Sequence, residues 1–233
     1  MTRRSHSVIA ASGWPLIALA LVLAAVSGQF NQALALFFVL MAVLLSYLFR
    51  DPWRTVPSDP LAIVCPVDGV VEAVALHNNP LTAHRDQRVS IRLHKGGAFT
   101  VHSPIEGKIL TLRRDAPDVK NRGKYVRALS ILVRTDEGDD VVLVIHRGFL
   151  GHYPRYYQQA GERVGQGGRL SYVPFGTRVD VYIPGSSSID VNVGDKLSAG
   201  ASKIGHLVHH KSSVLGGSYD SRARTQGSQR SHA

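Results

Sequence analysis

An aspartate, a histidine and a threonine stand where this chain is most heavily punctuated. Asp68 lies in Pro66-Val67-Asp68-Gly69, and His102 opens His102-Ser103-Pro104-Ile105-Glu106-Gly107. Thr177 lies in Phe175-Gly176-Thr177-Arg178-Val179-Asp180-Val181-Tyr182-Ile183-Pro184. Carboxylates and imidazoles are the side chains that move protons near neutral pH, and a hydroxyl is a nucleophile once its proton is taken. Taken singly, each has a plainer reading. Val-Asp-Gly is a common hairpin turn. A histidine beside a β-rich run is an ordinary strand or loop residue. A threonine ahead of an alternating run starts a strand.

The other histidines invite a metal reading, with His146, His152 and the group His206, His209 and His210 as candidates. A membrane-anchored zinc hydrolase of the lysostaphin type needs a His-x-His pair on one strand and an aspartate ligand at fixed spacing. No His-x-His occurs in the chain. Cys65 is the only cysteine, which excludes a disulfide scaffold and a Cys-based zinc site. No metal is expected.

These residues need elements to hold them. The chain has 233 residues, 27 Lys+Arg against 17 Asp+Glu, and a net charge of +10. Its length suits one ordinary domain, or a smaller one with an appendage. No charged residue occurs between Arg4 and Arg50. Two apolar runs fill that stretch, roughly Val8 to Val26 and Ala33 to Phe49, with the turn-like Ser27-Gly28-Gln29-Phe30-Asn31-Gln32 between them. Each nears the length that crosses about 30 Å of hydrocarbon. Residues 1–50 therefore read as a transmembrane helical hairpin, with Trp14-Pro15 as a kink site. A signal peptide would explain only the first run; a hairpin buried in a soluble core is the plainer alternative.

Arg3 and Arg4 before the pair, and Arg50 and Arg54 after it, put both ends on the cytoplasmic side of the inner (plasma) membrane. The basic remainder then lies against an anionic leaflet. Nucleic acid is not the expected partner: the pI is near 10.0, but no helix-turn-helix, zinc finger or RNP-like pattern accompanies it.

Residues 51–60 form a polar, Pro-containing linker. From Leu61 the chain reads as short β runs: Ala62–Cys65, Val70–Leu76, Arg88–Leu93, Lys108–Leu112, Ser130–Arg134, Val141–Ile145, Arg178–Ile183 and Ile189–Val193. Helical periodicity is weak and confined to Tyr153–Gln159. Two internal echoes occur. Pro66-Val67-Asp68-Gly69-Val70-Val71 matches Pro104-Ile105-Glu106-Gly107-Lys108-Ile109, and Gly161 to Gly167 matches Gly194 to Gly200 as a Gly-acid-x-apolar-x-x-Gly unit. Such hairpins recur in biotinyl/lipoyl-type hammerheads. The expected fold is a mostly β, hammerhead or sandwich-barrel-like domain over residues 61–210. The tail, 211–233, is basic, has almost nothing to bury and reads as disordered.

The order of the segments narrows the reading. Phe49-Arg50-Asp51-Pro52, Cys65-Pro66-Val67-Asp68-Gly69, the His102 segment and the Thr177 segment follow one another, with Gly194-Asp195-Lys196 behind them. In this order the chain resembles the short, membrane-associated phosphatidylserine decarboxylases over most of residues 35–205. The specific parts are Phe-Arg-Asp-Pro, Pro-Val-Asp-Gly and Phe-Gly-Thr-Arg-Val-Asp-Val-Tyr-Ile-Pro.

The resemblance implies a pyruvoyl enzyme that cuts itself, converting phosphatidylserine to phosphatidylethanolamine and CO2. The matching bond is Gly176-Thr177, with Gly176 giving backbone freedom for the attack. Asp68 or His102 takes the hydroxyl proton, and His102 later returns a proton to carbon. Arg178 either grips the lipid phosphate or carboxylate, or pairs with Asp180. The implied partners are a membrane phospholipid and further copies of the processed heterodimer. Three departures stand out. Thr177 replaces the family's serine, so the group formed is 2-oxobutyryl. Phe99 stands where the family often has histidine, and Tyr125–Leu129 keeps little of an Asn-Glu-Arg-Asn-like stretch. Cleavage at Gly185-Ser186 is the alternative bond. A catalytically altered or inactive family member, serving as a membrane-anchored lipid-binding or adaptor protein, is the alternative function.

Overall fold

The computed structural model describes residues 13–50, 55–82, 84–94, 98–117, 125–148, 151 and 153–208. The expected tail, 211–233, lies outside the described residues, as do Arg3, Arg4, Asp51, Pro52, Arg54, His152, His209 and His210.

The apolar runs form α1 (Trp14–Ser27) and α2 (Gln32–Leu48), packed side by side. Pro15 lies in the first turn of α1, where its missing N–H is no loss, so it starts the helix and does not kink it. Asn31 caps α2, its Oδ1 accepting from Ala33 N at 2.9 Å and Leu34 N at 3.4 Å. Ala20, Ala24 and Ala42 are buried with Ile17 and Ser27, while large apolar side chains such as Leu19, Leu36 and Leu40 face outward. The transmembrane expectation is not supported. The helices have 14 and 17 residues, about 21 Å and about 26 Å at 1.5 Å per residue. Among the described residues no helix is long and apolar enough to cross a membrane. The second run already stood at the lower limit of the spanning range, and its helix adds no length.

The remainder is β. It begins with β1 (Ala62–Val64), β2 (Gly69–Asn78) and β3 (Arg85–Leu93), then β4 (Thr100–His102), β5 (Gly107–Pro117), β6 (Tyr125–Arg134) and β7 (Asp140–His146). Next come β8 (Arg155–Tyr156), β9 (Arg163–Val164), β10 (Arg169–Tyr172) and β11 (Arg178–Ile183), then β12 (Ser188–Ile189), β13 (Lys196–Leu197) and β14 (Lys203–His206). The weak helical pattern at Tyr153–Gln159 is overridden: that stretch carries β8, whose Tyr156 pairs with Ser171 of β10. The run expected over Ile189–Val193 ends as a strand at Ile189.

Eight strands form one curled half-barrel sheet, in the order β13-β2-β3-β11-β7-β6-β5-β9. Two small sheets, β1-β14-β12 and β4-β10-β8, complete the fold. Outward from the centre, β11-β3-β2-β13 on one side answers β7-β6-β5-β9 on the other, and the small sheets answer each other too. The sequence echoes are the origin of this two-part plan. In each half a Pro-x-acid-Gly turn leads a short strand into a long one. Gly69 and Gly107 lie so close to the carbonyls of Arg92 and Arg134 that a Cβ has no room. The second echo carries positive φ at Gly161 (94°), Gly167 (70°), Gly194 (99°) and Gly200 (68°). In both copies the acid accepts from the backbone N–H three residues upstream: Glu162 from Gln159 at 3.1 Å, Asp195 from Asn192 at 2.8 Å.

The core lies between the inner face of the large sheet and the small sheets. Ile91, Val179, Leu143 and Ile131 meet Ile63, Val101, Leu170 and Ile204 there. Strand alternation turns the intervening residues, Ser90, Arg178, Asp180, Tyr182, Val144 and His146, to the opposite face. Tyr182, Val142 and Val144 form a smaller cluster on that face with Leu132.

Candidate active site

Asp68 sits in the turn between β1 and β2. Its Oδ1 accepts from Ala199 N at 2.8 Å and its Oδ2 from Ala98 N at 3.3 Å. Its backbone carbonyl accepts from His94 N at 2.9 Å. The carboxylate therefore joins three separate segments, which is the turn role read from Val-Asp-Gly carried further. His102 ends β4, and its N–H donates to Pro66 O at 2.8 Å, tying it to the same turn.

Thr177 stands just before β11. Its carbonyl accepts from Leu93 N at 3.1 Å, and its exposed hydroxyl donates to Arg147 O at 3.2 Å. Leu93 and His94 thus bind Thr177 and Asp68 in succession. The three sequence-predicted residues gather at one end of the large sheet, with the end of β3 between Asp68 and Thr177. Two strand spacings, about 10 Å, separate the backbones of β2 and β11 there.

The bond before Thr177 is held tightly from both sides. Phe175 has φ 52°, the left-handed region that a bulky side chain seldom enters. Gly176 bridges Gly148, and a Cβ on it would lie 2.6 Å from Leu93 Cδ2 and 2.8 Å from Val173 Cγ1. The left-handed backbone thus falls at Phe175, and Gly176 adds close packing against two side chains. The alternative bond, Gly185-Ser186, lies in a turn fastened by Gln87, whose Nε2 donates to Gly185 O at 3.1 Å and Ser187 O at 2.7 Å.

Phe99, at the family's histidine position, is buried among aromatic rings. Its centroid is 5.1 Å from Phe175 and 6.3 Å from Tyr172, and Tyr172 stacks on Phe49 at 6.3 Å. An aromatic chain thus runs from the end of α2 to the residue beside Gly176. The departing stretch at Tyr125–Leu129 lies on β6, where Ala128 stands opposite His146.

One cluster escaped the sequence reading. Asp180 is only 2% exposed, and its Oδ2 lies 2.9 Å from His146 Nε2. Arg178 Nη2 lies 3.1 Å from the same nitrogen, and Arg178 Nε is 3.2 Å from Asp180 Oδ1. The Arg178–Asp180 pair is one of the two roles the sequence offers for Arg178, while the sequence marks His146 only as a candidate metal ligand. Among the described residues no group of three or more His, Cys, Asp or Glu is placed to hold a metal. His206 is likewise engaged by carboxylates, Nδ1 with Asp190 at 2.8 Å and Nε2 with Asp59 at 3.2 Å.

Burial pushes the Asp180 carboxyl up. The hydrogen bond and charge of His146, the Ser90 hydroxyl and the Arg178 charge outweigh burial and hold it below its ordinary 3.8. A depressed folded-state value gives stability that is complete above the unfolded value and is lost as pH falls through the folded one. The expected result is a melting temperature that drops more steeply in the wild type than in Asp180→Asn once the pH is below about 4. Thermal unfolding followed by circular dichroism across that range checks it; parallel curves would remove Asp180 from the account.

The sequence profile of phosphatidylserine decarboxylase matches residues 41–205 of the chain. A phosphatidylserine decarboxylase proenzyme of Burkholderia vietnamiensis is 30% identical over 215 residues, covering 87% of this chain and 97% of that protein. That of Burkholderia mallei is 31% identical over 216 residues, covering 87% and 96%. A glucose permease IIA from Mycoplasma capricolum shares 15% identity over 62% of this chain and 94% of its own, at a TM-score of 0.43. The curled β domain, with Gly176-Thr177 held at one end, is that of a carboxy-lyase. The chain belongs to the phosphatidylserine decarboxylase family.

Proposed function

We propose that the chain cuts itself between Gly176 and Thr177 and then converts phosphatidylserine to phosphatidylethanolamine and CO2. The observation that carries this reading is the placing of Thr177 directly after the strained Phe175 and the tightly packed Gly176, in a chain of this family. Thr177 Oγ attacks the Gly176 carbonyl carbon, the C–N bond breaks and an ester forms. A base takes the Thr177 Cα proton, and the Cβ–O bond breaks to leave Gly176 as a free carboxylate. Hydrolysis of the resulting dehydroamino acid releases ammonia and leaves a 2-oxobutyryl N-terminus. That ketone supplies an electron sink for the loss of CO2.

Thr177 itself fits the group, since it holds the needed hydroxyl at the start of a strand. Asp68 and His102, fastened to one another's segments at the same end of the sheet, serve as base and proton donor. His102 returns a proton to the carbon that loses CO2. The Arg178 side chain is 31% exposed, and a guanidinium is the forked donor that a lipid phosphate or carboxylate accepts from. The outward-facing apolar side chains of α1 and α2 suit the acyl region of a cytoplasm-facing leaflet whose anionic lipids attract the basic domain. Processed heterodimers associate into a homo-oligomer in this reading.

Intact-mass analysis of the purified chain is the test. Two fragments split at Gly176-Thr177, the smaller with a blocked N-terminus, are expected. An uncut 25.3 kDa chain sinks the reading in favour of an inactive lipid-binding or adaptor member, to which the buried Phe99 and the methyl of Thr177 would then point. A split before Ser186 moves the bond.

A further inference from the structure

We propose that His146 is a positioning residue that decides whether Arg178 is held on the sheet or released toward the anionic headgroup of the substrate. The proposal rests on the headgroup role given to Arg178 above. The physical point is a conflict at one atom. His146 Nε2 lies 3.1 Å from Arg178 Nη2, which only donates, and 2.9 Å from Asp180 Oδ2, which as a carboxylate only accepts. A ring nitrogen carries either a lone pair or a proton, so only one of these hydrogen bonds exists at a time. With the lone pair at Nε2, the imidazole accepts from Arg178 and fixes the guanidinium along β11. With a proton at Nε2, the ring donates to Asp180. If the ring is then an imidazolium, it also repels Arg178.

The surroundings favour this exchange. Asp180 is buried and held as the anion by its neighbours, so the acceptor is present whenever His146 gains a proton. The Arg178 Nε and the Asp180 Oδ1 it faces make no hydrogen bond, so the ion pair alone does not fix the guanidinium. From β11, Arg178 and Asp180 face His146. From β3, beyond β11, come Ser90 and Arg92, the latter paired with Glu72 at 3.5 Å. From β6, Ala128 lies opposite His146 and brings no charge. His77 and Tyr182 both feel the Asp180 charge, and Arg88 acts on each of them. Arg178 directly follows Thr177, and the backbone carbonyl of Arg147, next to His146, accepts from the Thr177 hydroxyl. The switch therefore adjoins the reacting bond on two strands.

The first arm of the test needs no turnover. The full chain carrying Thr177→Val, labelled with 15N at histidine and arginine, is followed by NMR from about pH 5 to about pH 8. Arg178→Ala is expected to move the His146 midpoint upward and Asp180→Asn to move it downward. Glycerophosphoserine, the headgroup without acyl chains, is expected to shift the Arg178 Nε signal at the acid end and much less at the alkaline end. In His146→Gln that difference disappears. The second arm reads turnover: the KM for phosphatidylserine rises about tenfold between the acid and alkaline ends, the scale of one charge-assisted hydrogen bond. In His146→Gln KM is flat with pH while the pH profile of kcat is kept. A His146 midpoint indifferent to Arg178→Ala, or a KM profile kept in His146→Gln, overturns the proposal. A chain that is never cut overturns the proposed function instead, and the NMR arm still decides the role of His146.

Discussion

Thr177→Val is expected to leave the chain whole and to lower decarboxylation by at least about 10³-fold, the scale on which removal of a nucleophile acts. Valine keeps the shape and the β-branch of threonine and deletes only the hydroxyl. The side chain is exposed, and its hydroxyl donates to Arg147 O at 3.2 Å. The cost in stability is therefore within about 0.5 kcal/mol, as for other surface changes. An unchanged melting temperature beside a single uncut band isolates the chemistry from the fold. Thr177→Ser keeps the hydroxyl and removes the methyl that crowds the attack, so it should be cut faster than the wild type. Time courses of fragment appearance for the three proteins give the ranking Ser, Thr, Val; any cleavage of the valine protein at residue 177 would exclude Thr177 as the nucleophile.

Much of the fold could be read from the chain because its signals are local. Alternation in Arg178–Ile183 and Val141–Ile145 survives as β11 and β7, and the glycines of the two echoes sit in turns of positive φ. Several two-residue strands were not legible. β8, β9 and β13 have two residues each, and they are strands only because distant partners offer unpaired backbone groups. The same limit hid the His146–Asp180 contact. These residues lie 34 positions apart, and nothing in either segment announces the other. They meet because β7 and β11 pair in the register that sets Val179 opposite Ile145, which turns His146 and Arg178 toward one face. Helix length failed for another reason: apolar composition can be read from the sequence, but where the described helices start and stop depends on Pro15, Gly28 and the Asn31 cap.

The two-part plan also shows how differently its two halves end. Asp68 and Glu106 occupy matching turns, and Gly69 and Gly107 pass their partner strands in the same way. The Asp68 turn meets the end of β3, which in turn binds Thr177. The matching end of β6 pairs Arg134 with Asp140 at the start of β7, an exposed ion pair of 2.6 Å. One half thus ends in a hydroxyl beside a strained peptide, the other in a surface salt bridge. The repetition supplies two frames, and local sequence places the candidate bond, Gly176-Thr177, in one of them.

Asp68→Ala is the second change expected to act strongly, and it separates positioning from proton transfer. The carboxylate receives two backbone N–H groups, from Ala199 and Ala98. Removing it leaves both donors without their acceptor, at about 1–3 kcal/mol each, and lowers the melting temperature by roughly 10 °C. Asp68→Asn keeps an acceptor for one donor and turns an N–H₂ toward the other, so it should lose stability by a similar or smaller amount. If Asp68 only fastens its turn, both variants regain wild-type cleavage when cooled well below their melting temperatures. If it takes a proton, neither does, because amide and methyl groups are no bases at any temperature. The expected result is the second: folded, cold-stable Asp68→Asn protein that stays uncut. Full cleavage of that protein at low temperature would reduce Asp68 to an anchor and leave His102 as the base.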